Sequence, residues 1–414
     1  MGSYWSLRVA DWSLCSGKSE LDPRFTSLFR AGDRKTSWIS VDDPPGEPFE
    51  QHEYRTSARE MRDRLELMGF RLEDTKADFN QSLQSLVDDQ DHVFRGNDYE
   101  VQPQLLSFDA WLRAMRTIIT CKPSYPYDAF LAIHDDPIFG FILRNSDLIS
   151  GFPTSDERYA LRAVLESVDN DAKVSYDFTD LVDGGYVSSD EDHCQKAIAM
   201  TTREYTSVSN IVLLTEGNFD AEVLRLSLPL LFPHLEGFFD VMDFTTTSAA
   251  GGSSFLVHNV KAFAGSGVRN RIIAIFDNDT QGVQAAAQLS KISLPDRIHA
   301  MRLPDIDLAR AYPTLGPQGE RIMDINGLAS SIELFLGQDV LMANGSLTPI
   351  QWTSYDSKVG RYHGEITNKL AIQKRFKTKV AKAIREKHLN DGEWTQLQIL
   401  WNSIFTLARR RIEI

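Results

Sequence analysis

Apolar and polar positions alternate weakly along residues 4–11 (YWSLRVAD), the period-two pattern of a strand with one buried face. Residues 56–69 switch to a helical period. Met61, Leu65 and Met68 recur at i, i+4 and i+7, Thr56 or Ser57 could cap the start, and Gly69 could end it. The stretch 72–99 is rich in Asp, Gln and Asn and is expected to be exposed. Residues 104–119 predict a second helix, with Leu105, Phe108, Trp111, Leu112 and Met115 on one face. From there to about residue 205 the pattern is mixed, with turn clusters at 151–156 and 183–192, and a domain boundary is placed near 205.

The next hundred residues are more regular. Residues 210–215 (NIVLLT) form a short unbroken apolar run, the mark of a strand buried on both faces of a parallel sheet. A helix is expected from 219 to 228, stopped by Pro229. Residues 238–242, 271–276 (RIIAIF) and 298–303 predict further strands, and 254–263 and 280–289 predict helices. Strands and helices alternating at this spacing mean an open α/β sheet. The last sixty residues read as mostly helical.

The chain has 414 residues, 42% of them hydrophobic and 25% charged, the balance of an ordinary globular protein with room for two or three domains. No apolar run approaches bilayer-spanning length, and the N-terminus (MGSYWSLRVADWS) has no basic region followed by an apolar stretch. Cys15, Cys121 and Cys194 are far apart without metal-ligand spacing and suit a reducing cytoplasm. The net charge of −14 argues against gripping a polyanion by bulk charge, but it is uneven. Residues 351–414 carry 13 Lys/Arg against 6 Asp/Glu, a net +7, so the rest holds −21. That segment is the one broad basic surface on offer, although many solvated helices are equally basic.

Ligands in open α/β sheets gather beyond the carboxyl ends of the strands, and two of the expected strands end in acid. One runs into Glu216-Gly217-Asn218-Phe219-Asp220, the other into Asp277-Asn278-Asp279-Thr280. If the strands are neighbours, three or four carboxylates share a cleft, where each raises the others' pKa. A hard cation such as Mg²⁺ or Mn²⁺ resolves that conflict by taking carboxylate oxygens. Taken singly, each acid has a plainer explanation: Asp277 and Asp279 as a turn with a helix cap, Glu216 as a solvated strand end. The combination, E-G-x-x-D after one buried strand and D-x-D after another sixty residues on, is much less common than either part.

That combination resembles the Toprim domain of topoisomerases, bacterial primases, some small ribonucleases and the overcoming-lysogenization-defect nucleases. The resemblance spans about residues 208–337 and implies that Glu216, Asp277 and Asp279 bind metal and carry catalysis. It is similar to the nuclease branch, where a second acid follows the Glu, as Asp220 does, and an S-x-E element adds ligands, as Ser331-Ile332-Glu333 would. Two ions are implied, one around Glu216 and the D-x-D pair, one drawing on Asp220, Ser331 and Glu333; how the acids divide is left open. The branch also uses a lysine beyond the S-x-E, for which Lys369 is the candidate, with Lys358 and Lys374 competing.

The N-terminal part, through Ser3-Tyr4-Trp5, Leu28-Phe29 and Arg62-Asp63-Arg64-Leu65 to Gly69-Phe70, resembles the domain preceding Toprim in HEPN/Toprim-associated bacterial proteins, which are suspected antiphage effectors. HEPN ribonucleases use an Arg followed by His after a spacer of four to six residues, and no Arg–His pair at that spacing occurs here. Gly17-Lys18-Ser19 could pass for the end of a phosphate-binding loop, but the required Gly at position 12 is Trp, so a turn is expected. Any nucleotide control would fall to a separate regulatory ATPase or another partner protein. Asp190–Asp192 with His193 and Cys194 read as an acidic loop, Gly251-Gly252 as a plain or phosphate-approaching loop, and Asp305 and Asp307 as turn caps close to the cleft.

The expectation is therefore an α+β N-terminal domain (1–205), a Toprim-type open parallel sheet flanked by helices (206–340), and a basic, mostly helical C-terminal region (341–414). Its expected activity is metal-dependent phosphodiester hydrolysis of nucleic acid, RNA such as tRNA or DNA, in a cytoplasmic antiphage setting. No membrane association is expected, and a homo-oligomer is left open. Three rivals stay in view, of which a topoisomerase would need a nucleophilic Tyr and much more chain. A non-catalytic Toprim module would bind nucleic acid or a partner but should have lost acids. A primase-like nucleotidyl transferase should show a zinc-binding module, for which no Cys/His spacing exists.

Overall fold

A period-two pattern needs a partner strand, and the first one finds it within two residues. In the computed structural model β1 (Tyr4–Val9) ends earlier than its alternation suggests, because Ala10 and Asp11 take φ of 49° and 64° and turn the chain into β2 (Trp12–Lys18). A two-residue turn with both residues left-handed matches the twist of paired strands. The structure describes residues 2–39, 48–88, 106–134, 136–144, 148, 154, 156–204, 210–242, 252–266, 268, 270–356, 360–386, 389 and 391–410. They form two compact units, 1–208 and 209–414. Among the described residues no helix is long and apolar enough to cross a membrane.

In the first unit β3 (Arg34–Ile39), β4 (Phe49–Ser57) and β5 (Lys173–Asp177) complete an antiparallel sheet in the order β2-β1-β5-β4-β3. Trp5, Leu7 and Val9 point to its buried face, where Trp5 stacks on Tyr176 at 5.0 Å. Gly17 lies in β2 against the Trp5 ring, so Gly17-Lys18 is strand rather than turn or phosphate loop. The Ala58–Leu67 helix starts on a reciprocal cap between Ser57 and Glu60 and buries Met61 and Leu65, with Met68 just beyond it. The polar stretch expected to be exposed is instead helical over Leu72–Asp88, burying Thr75 and Phe79; residues 89–99 lie outside the described residues. Its apolar stripe is too narrow to register in composition. Phe79 meets Phe108 edge-on at 5.3 Å, on the Phe108–Cys121 helix that Ser107 caps. Leu105 lies outside the described residues.

In the second unit β6 (Ile211–Thr215), β7 (Phe239–Val241), β8 (Ile272–Phe276) and β10 (Ile298–Arg302) form one parallel sheet in the order β10-β8-β6-β7. The intervening β9 (Asn278–Asp279) belongs to a separate two-stranded ladder. The chain leaves β6 toward β7 on one side and returns as β8 on the other, which opens a crevice between the carboxyl ends of β6 and β8. Leu214, Ile272, Ala274 and Phe276 pack one sheet face against Leu256, Val260 and Ala285 of the Ser253–Gly265 and Thr280–Leu289 helices. The first crossover helix runs Asn218–Leu231 through Pro229 rather than stopping before it. Pro229 has no amide to donate to the Arg225 carbonyl, and the helix runs only two residues beyond it.

The C-terminal region departs from the mostly helical expectation. β11 (Tyr312–Gly316) and β12 (Gly319–Met323) join β16 (Ile350–Asp356) and β17 (Arg361–Ile366) in a second sheet, ordered β12-β11-β16-β17. β14 (Met342–Ala343) and β15 (Ser346–Leu347) make a small hairpin. Only from Lys369 on is the region helical, over Lys369–Glu386 and Asp391–Ala408. The second of these helices is core: Trp401 donates to Ser227 Oγ at 2.9 Å, and Trp401 and Phe405 pack on Phe239. Its basic neighbour also spends charge internally, since Arg375 and Lys379 donate to the Val340 and Leu336 carbonyls.

Candidate metal centre

Register brings the two acidic strand ends together. Thr215 pairs with Ile275, so Glu216 and Asp277 emerge side by side, and the Asp277 amide donates to Glu216 Oε1 at 3.0 Å. Asp220 opens the helix that follows β6 and accepts from the Gly217 amide at 2.9 Å. Asp279 caps the Thr280–Leu289 helix, accepting from the Gly282 amide at 2.7 Å. The helix-cap explanation is thus true of Asp279, and it leaves the carboxylate in the crevice.

β9 supplies what the sequence does not show. It pairs antiparallel with β13 (Ala329–Ser330), Asp279 opposite Ala329 and Asn278 opposite Ser330. This ladder delivers Ser331 and Glu333 to the D-x-D segment. Glu333 is completely buried; its Oε2 accepts from Ser331 Oγ at 2.7 Å, and its Oε1 accepts from Gln373 at 3.1 Å and lies 3.2 Å from Lys369 Nζ. Lys374 is exposed, and Lys358 lies outside the described residues.

Three residues at the site escaped the sequence reading. Buried Asn278 donates to Asp305 Oδ1 and accepts from Arg302, both at 2.7 Å, which ties Asp305 to the D-x-D segment. Asp307 is exposed and pairs with Arg310. His363 lies near enough for its charge to act on Asp279. Gln373 sits one helical turn from Lys369 on the same face, a spacing that could have been read in advance.

The electrostatics follow from burial of like charges. Glu216 is pushed up to about 7 by burial and by the charges of Asp279 and Asp220, against the pull of the Asp277 amide. Asp220 is also pushed up to about 7, by burial and then by Glu333, with the Gly217 amide and Lys369 opposing. Asp277 is raised well above the carboxylate range by burial and by Asp220, Glu216, Asp279 and Glu333. Asp279 is raised by burial, against amide hydrogen bonds and His363. Lys369 is itself raised: burial would lower it, but Glu333, Asp277 and Asp220 outweigh that.

An all-oxygen acidic set fits a hard divalent cation in charge and chemistry. Among the described residues, however, no three His, Cys, Asp or Glu side chains stand close enough to hold an ion as they lie. The reason is visible in their partners: each of Glu216, Asp220 and Asp279 is turned to a backbone amide and Glu333 to Ser331 and Gln373.

A pH dependence follows. Without metal, Glu216 and Asp220 hold protons up to about 7 in the folded protein, against ordinary values of 4.5 and 3.8. The folded state therefore binds more protons than the unfolded one across that interval, so stability falls as pH rises through it and levels off above. Thermal melts in EDTA should show a Tm declining from about pH 4 to about pH 7, with part of the slope removed by Glu216→Gln. Excess Mg²⁺ or Mn²⁺ should restore Tm above pH 7 by mass action. A Tm that is flat in EDTA and indifferent to both metals would contradict this account.

Residues 1–202 match the HEPN/Toprim N-terminal domain 1, which supports a place for the chain in the HEPN/Toprim-associated family. The match stops short of the residues that carry the carboxylates. No curated protein and no solved structure matches the chain.

Proposed function

We propose that this chain, whose N-terminal part is of a kind tied to nuclease-associated or defence-type proteins, is a metal-dependent Toprim-type nuclease. The observation that carries the reading is the meeting of Glu216, Asp220, Asp277, Asp279 and Glu333 at the switch point of a parallel sheet, each of the first four with its pKa raised. Buried like charges are unfavourable for stability, and their retention in one crevice is best explained by a cation they serve. Glu216, Asp277 and Asp279 would hold one Mg²⁺ or Mn²⁺, and Asp220, Ser331 and Glu333 would contribute to a second. When bound, such a pair lowers the pKa of a water and clamps the attacking and leaving oxygens of a phosphodiester.

The chain's own contributions are separable from the ions. Glu216 and Asp220 are poised near 7, where a carboxylate can take or give a proton at neutral pH. Lys369 Nζ is held beside Glu333 with its charge secured, a position from which it offsets charge developing on the phosphoryl oxygens. Glu333, fixed by Ser331 and Gln373, positions that lysine. The antiphage setting, a cytoplasmic location and control by a separate ATPase belong to the same reading.

The test is incubation with tRNA, single-stranded DNA and duplex DNA in Mg²⁺, Mn²⁺ or EDTA. Cleavage is expected with metal and not with EDTA, and Lys369→Met should lower kcat about a hundredfold while leaving metal-induced stabilisation in place. Cleavage that persists in EDTA would sink the proposal. That no ligand group is assembled among the described residues favours as second reading a non-catalytic Toprim module; intact nucleic-acid binding with no cleavage under any condition would establish it.

A further inference from the structure

The β16–β17 hairpin carries an aromatic row that the fold does not use. Tyr355 and Tyr362 stand opposite each other in register, rings 4.9 Å apart and tilted by 59°, and each is 55% exposed. Trp352, opposite Gly364, extends the row with its ring 6.2 Å from that of Tyr362. A side chain at 364 would collide with that ring, its Cβ falling 2.8 Å from Trp352, so Gly364 lets the indole lie flat on the strand. The hairpin's packing is supplied elsewhere, by buried Ile350 and Ile366 at its base. The row also adjoins the crevice: Thr280, the residue after Asp279, donates from Oγ to the Tyr362 carbonyl at 3.0 Å. Arg361 reaches back to the Gly327 carbonyl beside the D-x-D ladder.

We propose that this hairpin face is a stacking platform for single-stranded nucleic acid whose backbone then enters the carboxylate crevice, an assignment that rests on the nuclease reading above. Open rings on paired strands stack on bases of any sequence. In a duplex those base faces are already covered by their neighbours, and a protein reaches only groove edges and phosphates. Residues 351–414, which hold the hairpin, are net +7 in a chain of −14, so phosphate contacts can add to stacking at this face while the rest of the chain repels a polyanion. Exposed Arg361, next to Tyr362 in β17, is a cation on the same hairpin that suits the passing backbone.

Fluorescence anisotropy in EDTA, where nothing is cut, tests this with labelled oligo(dT), oligo(U) and a duplex of equal length. The wild type should prefer both single strands. The double variant Tyr355→Leu/Tyr362→Leu, which keeps apolar bulk on the hairpin, should weaken single-strand binding roughly tenfold or more. Tyr355→Phe/Tyr362→Phe, which keeps the ring faces, should bind within about twofold of wild type. Equal affinity of the Leu variant and wild type, or a wild-type preference for duplex, overturns the platform. Metal-dependent hydrolysis of bis(p-nitrophenyl) phosphate, which offers no base to stack, separates the two claims. It should be equal in wild type and the Leu variant. Hydrolysis intact with binding unaltered by the Leu pair defeats the platform alone; no hydrolysis with the binding pattern as expected defeats the nuclease reading and leaves the platform standing.

Discussion

Asp277→Asn should abolish metal-dependent cleavage while making the metal-free protein more stable. Burial raises the pKa of Asp277 most, and the like charges of Asp220, Glu216, Asp279 and Glu333 raise it further. Removing its charge relieves that repulsion without removing volume, and the backbone amide that serves Glu216 stays where it is. A gain of roughly 1 kcal/mol would move the Tm of a unit this size up by about 2–4 °C, measured in EDTA at pH 8. The same substitution removes an anionic ligand from the proposed ion. Loss of a residue that only supports a ligand costs about 10–100-fold, so loss of the ligand should cost at least about a hundredfold in kcat. Opposite signs in the two measurements separate a functional acid from a structural one. If activity and Tm both fall, or activity survives, the assignment of Asp277 fails.

Gly282→Ala should damage the same site without touching a carboxylate. A Cβ at position 282 would fall 1.9 Å from the Asp277 carbonyl oxygen and 2.9 Å from its carbonyl carbon. Both atoms are backbone, so no rotamer change relieves the overlap. The helix start must move away from β8 or Asp277 must move with the strand end. Overpacking of this kind costs roughly 1–3 kcal/mol, and with backbone on both sides the upper end is expected. Gly282 also donates its amide to Asp279, so the displacement carries the second acid of the D-x-D pair with it. A shift near 1 Å at reacting groups can cost about a hundredfold in rate. Calorimetry and single-turnover cleavage should therefore both report a loss, with metal-induced stabilisation reduced as well. A Gly282→Ala protein that melts and cuts like wild type would show that the helix start yields freely.

Much of this arrangement can be read from the chain because it is local. Unbroken apolar runs such as IVLLT and IIAIF are stable only in a strand covered on both faces, and each here leads directly into acid. The Thr280–Leu289 helix has the bounds its sequence predicts, since Asp279 caps it through a bond three residues away. Errors arose where local rules were outweighed by packing. Pro229 does not stop its helix, and the polar 72–88 stretch is helical because Thr75 and Phe79 find buried neighbours. The strands of 342–366 depart from the mostly helical expectation for 341–414; they pair largely with one another and, through β11 with β16, with a distant segment.

By itself, then, the sequence determined which residues end buried strands in carboxylates and the bounds of the Thr280–Leu289 helix, since each depends on contacts within a few positions. Tertiary structure decided the rest. That β6 and β8 are neighbours, that a two-residue ladder between β9 and β13 delivers Ser331 and Glu333, and that Lys369 rather than Lys374 meets Glu333 all depend on contacts between segments tens of residues apart. The raised pKa values of the four acids belong to that second class, because repulsion and burial exist only once the strand ends have been brought into one crevice.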